Sequence, residues 1–181
     1  VDCAASDLCQ LTDARAAKNE QAGLYSRLAQ KAGFNCEVKT YAPFATSLPG
    51  KEAVELVCSN RPDGAVGVFA GSSSVPSVVY DCAHSEIYRF HCTLTKPEAA
   101  YPKLTDDLKA LNKGSCSVSN ARYVGTTADK RAFMEVACAD GLQGYMIEYA
   151  TEPTLVAKNL IVCSSASGVA GGCTLPGNTK H

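Results

Sequence analysis

The chain has 181 residues, a net charge of −1 from 17 Lys and Arg against 18 Asp and Glu, and 46% hydrophobic residues. That is apolar material enough for a buried core, and it argues against disorder. Balanced, scattered charge excludes an extended phosphate-binding face, so no nucleic-acid partner is expected, and no window approaches the ~18 consecutive apolar residues of a membrane-spanning helix, so no transmembrane segment is expected either.

The first predicted feature is a small ring closed by Cys3 and Cys9. The start, Val1-Asp2-Cys3, carries neither the basic nor the apolar region of a signal peptide, so any leader is expected to have been removed already. Leu11-Thr12-Asp13 then places a capping hydroxyl before an acid, with Thr12 as N-cap of a helix whose Leu24, Leu28 and Ala32 carry it to about Gly33. Strand one presents Cys36 and Val38 on one face. Strand two alternates Val54, Leu56 and Cys58 against Glu55, which this period sets on an exposed face. Asp63-Gly64 reads as a hairpin turn, because Gly tolerates the positive φ such a turn needs, and delivers the chain into a third strand with Val66, Val68 and Phe69. The Ser-rich stretch at 71–74 is a connector, and a fourth strand is expected over residues 77–82.

The same order recurs. Leu104-Thr105-Asp106 predicts a second, shorter helix with Thr105 as N-cap and Gly114 near its end. Strands follow with Cys116 and Val118, then Met134, Val136 and Cys138 alternating against Glu135, again read as exposed. Asp140-Gly141 is the matching turn signal, and Tyr145, Ile147 and Tyr149 mark a third strand before a fourth near Leu160–Cys163. Each second-half cysteine lies 80 or 81 residues after its first-half counterpart, with Cys36–Cys58 and Cys116–Cys138 both 22 apart and Cys82–Cys92 and Cys163–Cys173 both 10 apart. The reading is an α+β chain made by tandem duplication of a helix plus antiparallel β-meander (αβββ or αββββ), disulfide-rich and packed as a pseudo-dimer. The expected domains are 1–96, 97–176 and a tail at 177–181, with the loop after Cys58 longer than its counterpart.

Ten cysteines, an even count, fit an oxidising compartment, so a secreted or periplasmic protein of a bacterial envelope is expected. Repeat equivalence selects five bridges: Cys3–Cys9, Cys36–Cys58, Cys82–Cys92, Cys116–Cys138 and Cys163–Cys173. By loop entropy a closure of this size contributes up to roughly 3 kcal/mol. No Cys-x2-Cys occurs, and Cys82-Ala83-His84 with His91-Cys92 is the sole approach to a zinc pattern, so neither metal nor cofactor is expected.

No nucleophile elbow or phosphate loop is present, and Glu55 and Glu135 stand at equivalent positions rather than as a facing acid pair, so no catalytic residue is assigned. The functional candidate is the first cysteine frame, DCAHSEIYRFHCTL at 81–94, whose counterpart VCSSASGVAGGCTL at 162–175 keeps the cysteines and the Cys-Thr-Leu ending but holds small residues. His84, Glu86, Tyr88, Arg89 and His91 are the proposed binding residues, since aromatic and Arg side chains on a closed loop anchor interfaces at low entropic cost. Phe90 is assigned to the core.

A helix followed by antiparallel strands in each half, with Gly114-Ser115-Cys116 after the second helix and the spacing to Cys138, resembles the architecture of the β-lactamase inhibitory protein family, a secreted inhibitor with outer-membrane lipoprotein relatives. The resemblance implies a protein that binds another protein and assigns no residue a role. The expected function is a non-enzymatic binding or assembly protein, monomeric, with a protein or envelope component as partner. The alternatives are a small secreted hydrolase or small-ligand carrier with a site between the repeats, and an inhibitor of a secreted enzyme.

Overall fold

A computed structural model describes residues 14–45, 48–71, 77–139, 141–169 and 171–178. Cys3, Cys9, Thr12 and His181 lie outside the described residues. The described residues up to Tyr80 form one compact unit together with Cys92–Leu94; Asp81–His91 and the described residues from Thr95 onward form the other.

The first unit holds α1 (Ala14–Lys31) and the strands β1 (Val38–Pro43), β2 (Lys51–Cys58), β3 (Ala65–Ala70) and, but for its last residue, β4 (Val78–Asp81), ordered β1-β2-β3-β4 in an antiparallel sheet. Ala22, Tyr25 and Ala29, three and four residues apart, make one apolar stripe on α1, and Tyr25 and Ala29 pack on Val54, Leu56 and Phe69 of the sheet. Tyr25 stacks on Phe69 with centroids 5.7 Å apart and meets Tyr41 edge-on at 4.9 Å. Its hydroxyl donates to Glu52 at 2.9 Å, and burial, opposed by Gln21 and aided by Glu52, pushes its pKa up to about 12. Gly67 opens the space for Phe69: a Cβ there would stand 2.2 Å from the ring's Cζ. Gly67→Ala is therefore expected to lower stability by about 1–3 kcal/mol through displacement of the ring, measurable by urea unfolding.

The second unit opens with a short 3-10 helix (Ser85–Tyr88), followed by α2 (Pro97–Ala110), β5 (Val118–Thr126), β6 (Arg131–Cys138), β7 (Tyr145–Ala150), β8 (Val156–Val162) and a second 3-10 helix (Cys163–Gly168); the sheet order is β5-β6-β7-β8. Ala100, Leu104 and Leu108, every fourth residue of α2, cover Met134, Val136, Ile147 and Tyr149 together with Ala83 and Ile87 of the 81–91 loop. On the opposite face Phe133 and Met146 are covered by Ala166, Val169 and Cys173.

The two sheets repeat each other in register. Val38 pairs with Cys58, Tyr41 with Leu56 and Ala42 with Glu55, while Val118 pairs with Cys138, Ala121 with Val136 and Arg122 with Glu135, and each first strand shifts register just after its valine. The helices correspond too: Ser26 Oγ accepts the Val38 N–H at 2.9 Å, and Thr105 Oγ1 accepts that of Val118 at 3.0 Å.

Four expectations are corrected. Thr105 is not an N-cap but sits inside α2, whose cap is Lys96 with Pro97 at the first helical position, where the missing N–H is harmless and φ is already helical. The left-handed residue closing α2 is Asn112 (φ 62°), not Gly114, matching Gly33 (φ 81°) after α1. Asp63-Gly64 is not a two-residue turn, and the loop after Cys58 is no longer than its partner: residues 59–64 and 139–144 connect the strands in the two units. Gly64 and Gly141 do carry positive φ, of 51° and 72°, but three residues apart in repeat register.

Cys36–Cys58, Cys116–Cys138 and Cys163–Cys173 are bridged as expected, and Cys82 and Cys92 are each disulfide-bonded, which leaves no free thiol among the described residues. No helix among them is long and apolar enough to cross a membrane.

Candidate functional site

The cysteine frames share one structural task. Glu55 and Glu135, expected on exposed faces, are 1% and 0% exposed. The reason is the ending Cys-Thr-Leu. Glu55 accepts the backbone N–H groups of Thr93 at 2.7 Å and Leu94 at 2.9 Å, and Glu135 accepts those of Thr174 at 2.9 Å and Leu175 at 2.8 Å. A buried carboxylate is tolerated only when donors replace its water. Glu135 gathers two more, Arg122 Nε at 2.5 Å and Asn178 Nδ2 at 3.0 Å. Burial pushes its pKa up, but the Thr174 and Leu175 amides, Asn178 and Arg122 outweigh it and hold the carboxyl below its usual range. Asn178, placed in the expected tail, is thus buried and bonded. Although Glu135 lies close to the Cys163 and Cys173 sulfurs, these are joined in a disulfide and offer no thiolate to a metal.

What differs between the frames is the filling. His84 is 7% exposed and has both ring nitrogens engaged: Nδ1 meets Asp81 Oδ1 at 2.8 Å, and Nε2 meets Asp107 Oδ2 at 2.8 Å and the Tyr149 hydroxyl at 3.3 Å. Tyr149 in turn donates to Asp107 Oδ2 at 2.8 Å. Burial disfavours the imidazolium, yet the hydrogen bonds and charges of Asp107 and Asp81 prevail and push its pKa up to about 9. The same partnership holds Asp81 low against its own burial, aided by Lys103. His84 is consequently a charged clasp fastening the 81–91 loop to α2 and β7. With no free nitrogen, it has no seat for a substrate proton.

From this anchor the chain turns through Ser85–Tyr88. Ser85 Oγ closes the turn by donating to the Phe90 carbonyl at 2.9 Å, and Ile87 and Phe90 are buried. Arg89 is exposed in the left-handed conformation (φ 67°), its N–H bonded to the Glu86 carbonyl at 3.0 Å. Glu86 and His91 form a surface pair, Oε1 to Nδ1 2.5 Å.

Of the five predicted binding residues, Tyr88 and Arg89 come together at a cavity; His84, Glu86 and His91 do not. Ile87, Tyr88 and Arg89 form one wall of an open-sided groove of about 360 Å³. Tyr123 and Thr126 at the end of β5, Lys130 in the following turn, and Thr151 and Glu152 after β7 form the rest. These five carried no sequence signal, since hairpin ends distant in sequence meet only through the sheet.

The chain matches no family model, no curated protein and no solved structure, so the resemblance drawn above rests on the helix and the cysteine spacing alone.

Proposed function

We propose that this is a non-enzymatic, secreted or periplasmic protein, grown by duplication of one helix-and-meander unit, that binds another protein or an envelope component through the groove of its second unit. The observation that carries this is the course of the 81–91 loop: a buried ionic clasp at His84 fixes it, and four residues on it lays Tyr88 and Arg89 along an open groove. Pre-organised aromatic and Arg side chains are the usual anchors of recognition, because little conformational freedom is left to lose. Disulfides at all eight described cysteines fit the oxidising compartment in which such a loop stays closed. A hydrolase or carrier would draw support from a deep pocket lined by His84, Tyr88 and Glu86, but of these three only Tyr88 lines the groove, which is open-sided.

Arg89→Gly tests this, because glycine accepts φ 67° without strain and the fold should hold or gain up to about 1 kcal/mol. A photo-crosslinker at Thr126 should capture a partner from the envelope or secreted fraction. That partner, purified, should bind the Arg89→Gly variant weaker by about 2 kcal/mol. A partner bound equally well by this variant would remove the groove from recognition.

A further inference from the structure

The polar groups of the groove are mostly satisfied by one another. Lys130 Nζ pairs with Glu152 Oε1 at 3.1 Å, the Tyr123 and Thr126 hydroxyls bond each other at 2.7 Å, and Thr151 Oγ1 donates to the Lys130 carbonyl at 2.9 Å. Arg89 is different. Among the described residues its guanidinium has no ion pair, although its backbone is fixed by the turn. The lining therefore carries one uncompensated positive charge, with two tyrosine rings and Ile87 beside it.

From this imbalance we infer that the groove takes a single carboxylate side chain, Asp or Glu, presented by an extended segment of a partner protein and flanked by an apolar or aromatic residue. The inference rests on the binding role proposed above and names its ligand chemistry. A guanidinium fork matches a carboxylate with two parallel N–H donors, and the tyrosines offer apolar faces to the neighbouring residue. A phosphate group would call for a second free cation, and Lys130 is held by Glu152. An acidic sugar would call for unengaged hydroxyl and carboxylate partners, which the internal bonds of Thr126, Thr151 and Glu152 have taken up. The volume, about 360 Å³, lies near the lower end of the ~300–1,000 Å³ range of ligand sites and suits one or two side chains.

The test uses the folded, fully oxidised chain labelled with 15N and the capped peptide Ac-Ala-Glu-Tyr-Ala-NH2. Saturable shifts are expected at Arg89 Nε–Hε and at the Thr126 and Thr151 amides. The peptide with Gln in place of Glu should bind at least about tenfold more weakly, the scale of one charge-assisted hydrogen-bond pair. Arg89→Gln should abolish the difference and Arg89→Lys should keep part of it. Equal binding of both peptides, or shifts confined to other surfaces, would overturn the inference. So would tighter binding of galacturonate or inorganic phosphate at the same amides, which would reassign the site to an acidic saccharide or a phosphate group. The two readings fail separately. Arg89-dependent capture of a partner with no Glu preference would retain the groove as a protein-binding site and discard the carboxylate, whereas a Glu preference that Arg89→Gln abolishes, with no Arg89-dependent partner captured, would keep the carboxylate site and discard the protein-partner reading.

Discussion

Glu135→Ala is expected to destabilise the protein by about 3–5 kcal/mol, a large share of the roughly 5–15 kcal/mol that holds a domain folded. The loss comes from what the carboxylate leaves behind. The Thr174 and Leu175 amides, the Asn178 side chain and Arg122 Nε all donate to it. With alanine, buried donors lose their acceptor and Arg122 its counter-charge, each omission carrying a desolvation penalty. Glu135→Gln separates shape from charge: it fits the same space but points an NH2 at groups that are themselves donors, so it should recover only a minor part. Acid should act in the same direction. The folded carboxyl titrates below its ordinary range, so its contribution is complete above about pH 4.5 and is lost as pH falls through the lowered folded value. Urea unfolding with the disulfides intact measures both effects; an Ala variant within about 1 kcal/mol of wild type would show that Thr174 and Leu175 find other acceptors.

The glutamates also show where sequence stops being informative. Strand two was legible because Val54, Leu56 and Cys58 alternate, and that alternation placed Glu55 and Glu135 correctly on the other face. It could not say that the face is covered, because coverage depends on the segments at 92–94 and 173–175, about 40 residues away. The signal existed in retrospect: Thr-Leu after the closing cysteine is repeated because its two N–H groups are used twice. Cysteine spacing limited the register of both sheets for a similar reason, since a disulfide from the residue two before β1 or β5 to the last residue of the next strand brings those two ends together. The start of α2 was obscured by Pro102, which reads as a helix breaker, although Pro97-Glu98 carried a start signal of its own. The loop's share of the candidate site was legible in the first frame, where Tyr88 and Arg89 stand out against the small residues of the second. Tyr123, Lys130 and Glu152 were not, being brought there by strand ends.

Stability is expected to decline as pH rises from about 6.5 through about 9, on the order of 3 kcal/mol in all, through His84. The folded state holds the imidazole proton up to about pH 9 while the unfolded chain releases it near 6.5. A pKa raised on folding contributes stability that is complete below the unfolded value and is lost as pH climbs through the folded one. Two carboxylates and one hydroxyl face the ring, namely Asp81 on its own loop, Asp107 on α2 and Tyr149 on β7. Tyr149 is pushed well above the ordinary tyrosine range by burial and by Asp107, so it stays protonated across this window. Asp81 acts at the other end: its pKa is lowered, so its contribution is present above about pH 4 and fades as pH falls through the folded value. Between these limits His84 and Asp81 are both charged. His84→Gln keeps a bond to one carboxylate but supplies no charge, so it should lower stability near neutrality and remove the alkaline slope. The slope decides the matter, since packing loss alone would shift the curve without flattening it. Because the clasp holds the loop carrying Tyr88 and Arg89, amide exchange at residues 85–90 should accelerate over the same alkaline interval, ahead of exchange in β6 and β7. A wild-type stability curve that is flat from about pH 6.5 to 9, or exchange in which loop and strands open together, would show that His84 does not hold this loop by charge.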